Sequence, residues 1–226
     1  MNFEIRQKPD FAIARIQFDQ PGETFLVEAS AMVAHEGNLQ MTTDMQGGLL
    51  GAAKRKLMGG ESVFQNTFTC TAPGQTLWVA PGPDGDMESL VLDGSYELMM
   101  SSGAFIASVP SVTLDTRWGG AKGFFSGKGL FLLKASGLGP IFFSSYGGIH
   151  AIDVGPDGYI CDTGHIVAFT SGLQYDVRKL GGLKSLFMSG EGLVCEFRGQ
   201  GRLWIATRNP MGLASFLAPF RPKKSN

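Results

Sequence analysis

The sequence predicts an all-β protein, and three observations carry that expectation. Short apolar or alternating runs recur along the whole chain, bounded by Gly, Pro, Asn, Asp or Ser. Glycine supplies 32 of the 226 residues, about twice its usual share, and stands among aromatic and β-branched residues where turns between strands need it. Helix signals are scarce. The best covers Leu49 to Met58, where Ala52, Ala53, Lys54, Arg55 and Lys56 favour helix, but glycines stand on both sides. At most one or two short helices are expected. Strands this short and frequent hide their apolar faces by forming sandwiches or barrels.

The segments also repeat in order. The first copy reads Ala29-Ser30-Ala31-Met32-Val33-Ala34, then Gly47-Gly48, then Gly60-Glu61-Ser62-Val63-Phe64. The second runs Ser102-Gly103-Ala104-Phe105-Ile106-Ala107, Gly119-Gly120, then Gly127-Lys128-Gly129-Leu130-Phe131. In the third, Thr163-Gly164-His165-Ile166-Val167-Ala168 leads to Gly181-Gly182 and then Gly190-Glu191-Gly192-Leu193-Val194. Each copy opens with a small-residue turn and an apolar strand. An alternating strand follows, as in Val112 to Thr116 and Leu173 to Val177, where side chains switch faces at each residue. After the glycines, an apolar strand such as Leu130 to Leu133 is expected to form a hairpin with a return strand, Ile141 to Ser145 or Leu203 to Thr207. The turns would be Ser136 to Pro140 and Gly199-Gln200-Gly201. Further strands are expected at Phe11 to Phe18 and Ser89 to Leu92. The expected whole is one compact unit over 1–226. Its repeats run at about 11–98, 99–158 and 159–212, around a pseudo-threefold axis, with 213–226 as a C-terminal tail whose basic run, Arg221 to Lys224, is expected in solvent.

Composition narrows the function classes. Net charge is -1, so no broad positive field would gather nucleic acid, which is disfavoured as a partner. Cys70, Cys161 and Cys195 are dispersed, without the spacing of a disulfide framework or a structural zinc site, and are expected as buried thiols of a cytoplasmic protein. The start, Met1 to Phe11, lacks the apolar run of a signal peptide, and no stretch approaches the length of a membrane span.

Local chemistry signals fail one by one. Asp162-Thr163-Gly164 looks like an aspartic-protease carboxylate, but that chemistry needs two, and no second copy exists. The place recurs as Ser101 and Glu28 in the other copies, so a capped turn is expected. His35, His150 and His165 lack metal-ligand spacing. Ser144 and Ser145 lack the glycine of a nucleophile elbow. No phosphate loop or dinucleotide fingerprint is present. No enzyme activity, metal or cofactor is expected.

The segments after the paired glycines are the most informative. They carry Leu49, Leu50, Lys54, Arg55 and Lys56 in the first copy, Lys122, Phe124 and Phe125 in the second, and Lys184, Leu186 and Phe187 in the third. Connections are normally polar, so apolar ones call for a cover. Two uses compete: packing against each other or across a subunit interface, or insertion into a bilayer surface with the basic groups on anionic head groups.

The runs Gly59 to Phe68, Leu92-Asp93-Gly94, Leu114 to Trp118, Ser144 to Gly147 and Val154 to Ala168 resemble the Altered Inheritance of Mitochondria number twenty-four family, over about Phe11 to Pro210. The resemblance implies a β-sandwich like that of the tryptophan RNA-binding attenuation protein (TRAP-like), repeated within the chain, and a homo-oligomer, a trimer. It implies no catalytic residues. The family's eukaryotic members are associated with mitochondrial membrane organisation, but this start has no transit-peptide character. The resulting expectation is a non-enzymatic oligomeric scaffold, cytoplasmic or peripheral to an anionic membrane. The alternative is a small-ligand or nucleic-acid binding module by fold analogy.

Overall fold

The computed structural model describes residues 1–44, 65–101, 103–118, 131–179 and 193–221. Strand dominates, as expected. The first group of strands is β1 (Asn2–Arg6), β2 (Ile13–Gln17), β3 (Thr24–Glu28), β4 (Met32–His35), β5 (Leu39–Asp44), β6 (Gln65–Cys70) and β7 (Thr76–Val79). All pairings are antiparallel: β2 and β4 flank β7, β3 and β5 flank β6, and β1 extends the sheet beyond β2.

The next strands are β8 (Met87–Asp93), β9 (Leu98–Ser101), β10 (Phe105–Ser108), β11 (Val112–Trp118) and β12 (Phe131–Ser144). Here β9 and β11 flank the first half of β12, whereas β8 and β10 flank its second half. The last are β13 (Ile149–Val154), β14 (Tyr159–Asp162), β15 (Ile166–Thr170), β16 (Leu173–Lys179), β17 (Leu193–Gly199) and β18 (Gly201–Ala206). Strands β14 and β16 flank β17, and β13 and β15 flank β18.

One local irregularity recurs. Register slips between Met32 and Ala34 on β4, between Phe105 and Ala107 on β10, and between Ile166 and Ala168 on β15. Each slip adds one residue, Val33, Ile106 or Val167, and bends the strand as a β-bulge does.

The expected hairpins after the glycine pairs are corrected. Strands β17 and β18 share no ladder, although Gln200 alone separates them. Around Ser136 to Pro140 the chain does not reverse, and β12 continues unbroken through the cluster. Gly137 and Gly139 take φ of 121° and 118°, which bends the strand without reversing it. A Cβ at Gly137 would overlap the carbonyl oxygen of Ser111, so the bend also needs glycine for space. The bend carries β12 from its pairs with β9 and β11 to its pairs with β8 and β10 within one sheet.

Three cores result. Alternation along β12 splits the adjacent Phe142 and Phe143 between them. Phe142 enters the first core, 5.9 Å from Phe25, and Phe143 enters the second, 5.5 Å from Trp204. In the third, Phe169 lies 5.1 Å from Phe197. Two junctions join the strand groups: β3 pairs β10, and β9 pairs β15. At the entry to β8, the buried Asp86 carboxylate accepts hydrogen bonds from the amides of Met87 (2.8 Å) and Ile149 (3.2 Å), tying β8 to β13.

Candidate functional site

Leu49, Leu50, Lys54, Arg55, Lys56, Lys122, Phe124, Phe125, Lys184, Leu186 and Phe187 all lie outside the described residues, as does the helix expected from Leu49 to Met58. The strands on either side of them are described. The last paired residues are Asp44 with Gln65, Trp118 with Phe131, and Lys179 with Leu193. All three segments thus join the strands of corresponding antiparallel pairs.

The described surface has its own apolar site, at the C-terminal end. Asn209 caps helix α1 (Pro210–Leu217), accepting from the Met211 amide at 2.9 Å, and Pro210 occupies the first turn. Both features start a helix. A 3₁₀ turn, Ala218–Phe220, follows. Neither element has a buried residue. Met211, Leu213 and Leu217 are exposed, Phe216 is 68 % exposed and Phe220 74 %, with the two rings 5.9 Å apart. No charged residue lies between Pro210 and Phe220, while Arg208 and Arg221 stand at the two ends.

The root of this element is fixed. The Gly148 amide donates to Thr207 Oγ1 at 2.9 Å, and the Thr207 amide donates to the Gly148 carbonyl. His165 Nδ1 lies 2.7 Å from the carbonyl of Ala206. Sequence reasoning missed the element by treating it as part of a C-terminal tail. The available signal was the Asn-Pro start before a charge-free run holding two phenylalanines.

The other candidates resolve into structure. Asp162 Oδ1 accepts from the Gly164 amide at 2.7 Å, capping a short 3₁₀ turn, and Thr163 Oγ1 donates to the Leu193 carbonyl. His35 lies beside its neighbour's carbonyl, that of Glu36, at 2.9 Å. Among the described residues no group of three or more His, Cys, Asp or Glu could hold a metal ion. Cys161 and Cys195 face each other across the β14–β17 pair. Burial pushes their thiols up to about 11 and about 12, so neither offers a thiolate near neutrality. No helix among the described residues is long and apolar enough to cross a membrane.

Fold and surface together define an all-β protein with an apolar, basic-flanked element standing off its sheets. The chain belongs to the family described as Mitochondrial biogenesis AIM24, whose model matches residues 3–208. It is 30 % identical over 234 residues to the uncharacterized protein M6_Spy0233 of Streptococcus pyogenes serotype M6, covering 100 % of this chain and 93 % of that one. It is also similar to the crystal structure of protein SPYM3_0169 from Streptococcus pyogenes, with a TM-score of 0.80 and 29 % identity. That match covers 97 % of this chain and 99 % of the other.

Proposed function

We propose that the protein is a non-enzymatic homo-oligomeric scaffold, a trimer of TRAP-like chains, that associates peripherally with anionic membrane surfaces. The chain is a threefold duplication with units at 13–79, 87–144 and 149–206. The recurring flanking pattern and the bulge at Val33, Ile106 and Val167 support this reading. This reading sets the unit boundaries ahead of residues 98 and 158, in keeping with the hydrogen bonding of β8 and β13 into the groups that follow them.

The observation that carries the membrane reading is the C-terminal element: large apolar side chains exposed together, with Arg208 and Arg221 beside them. Such a surface gains by entering the head-group boundary while its basic groups meet anionic lipid. Each basic group near an anionic surface contributes about 1 kcal/mol, and an oligomer multiplies the effect. Vesicle flotation tests it. The protein floats with anionic vesicles at low salt and less at moderate salt. The double variant Phe216→Ser, Phe220→Ser loses roughly tenfold in affinity for each phenylalanine removed. Because both side chains are exposed, the variant keeps its fold. Failure to float with any vesicle contradicts the reading.

A further inference from the structure

We propose that β4 of one chain pairs with β14 of a second copy, head to tail, in the register that the two junctions inside the chain already use. The proposal rests on the reading of the chain as a threefold duplication that oligomerises.

The two internal junctions are the same junction. Phe25, Leu98 and Tyr159 occupy equivalent positions, opposite Phe68, Ala135 and Phe197. Those three partners in turn face Met41, Leu114 and Tyr175 on the neighbouring strand. Counting along, Val27, Met100 and Cys161 are equivalent. Ala34, Ala107 and Ala168 are also equivalent, each being the first paired residue after its bulge. In the first junction Ala107 pairs Val27, and in the second Ala168 pairs Met100. The third member of each set, Ala34 and Cys161, is left over. Among the described residues β4 pairs only β7, and β14 pairs only β17.

Burial points to the same missing junction. Ile106 and Val167, the bulge residues inside the junctions, are 1 % and 2 % exposed, whereas Val33 is 55 % exposed. On the other edge Phe25 and Leu98 are fully buried, while their equivalent Tyr159 is exposed beside Ile160, itself 51 % exposed. Core membership repeats the pattern. Ile106, Ala107 and Phe142 from the second unit enter the first core, and Val167, Ala168 and Trp204 from the third enter the second. Their first-unit equivalents are Val33, Ala34 and Trp78, and no described first-unit residue belongs to the third core. Trp78 is only half buried, with the Arg6 guanidinium over its ring at 5.4 Å.

An unpaired strand edge carrying apolar side chains is a template for another strand. Two complementary edges at opposite ends of a repeat make a heterologous contact, which closes into a ring when the rotation between copies allows. In the assembled contact Ala34 stands opposite Cys161 and His35 opposite Ile160, and Val33 and Ala34 complete the partner's third core.

The test uses the full chain carrying His35→Cys and Ile160→Cys together, and each change alone. Under mild oxidation the double variant loses its monomer band on a non-reducing gel and gives disulfide-linked oligomers. Each single variant stays monomeric there. Val33→Cys with Ile160→Cys puts one thiol on the other face and links poorly. Separately, Ile160→Lys shifts the native mass from oligomer to monomer with unchanged far-ultraviolet circular dichroism. Should the lysine variant fail to fold, the cysteine pair decides alone. An oligomer whose double variant stays unlinked overturns the head-to-tail contact and leaves the oligomeric scaffold standing. A chain that is monomeric throughout overturns both.

Discussion

At the scale of single residues, the cysteines show how place decides chemistry. A thiol is reactive only as thiolate, and burial in the third core holds Cys161 and Cys195 in the protonated form. With a disulfide-forming aromatic reagent at neutral pH, the native protein is expected to react slowly at these two positions. All three thiols react at once after denaturation, and fast reaction of the native protein at Cys161 or Cys195 contradicts the burial. The sign of the pH effect follows as well. Both thiols have folded values raised above the unfolded value, so their contribution is complete below about pH 9. It is lost as pH rises through the folded values. The dispersed cysteines were legible in the sequence as buried thiols. That two of them face each other was not, because strand register depends on pairings distant in sequence.

At the scale of elements, β12 shows why patterning finds strands more readily than their connections. Alternating runs predicted β11 and β16, since period two survives in the residues. The Ser136 to Pro140 cluster has turn composition yet lies inside a strand, because two positive-φ glycines serve a bend as well as a reversal. One residue step on this strand separates two cores, so Phe142 and Phe143 support different parts of the molecule. Replacing Phe142 with alanine removes a fully buried ring from the first core and is expected to cost about 3–5 kcal/mol. Denaturant unfolding checks this, and a loss below about 1 kcal/mol would contradict the packing. Helix α1 was illegible for a different reason. Its apolar residues have no core to face, so they show no period that would distinguish a helix from a tail.

At the scale of the whole molecule, the recurring order of landmarks was visible in the sequence, and the bulges fall where it placed the apolar strands. The junctions β3–β10 and β9–β15 were not visible, since nothing local marks which edge meets which. They explain how the strand groups hold together: the first and second cores are each completed by strands of the group that follows. The same logic leaves β4 and β14 needing a partner. The proposed scaffold and its β4–β14 contact require self-association, and the most direct measurement is the native mass of the unmodified protein by light scattering across a wide dilution series. A discrete species of three times the chain mass, persisting on dilution, is the predicted result. A mass equal to that of one chain at every concentration would contradict the account.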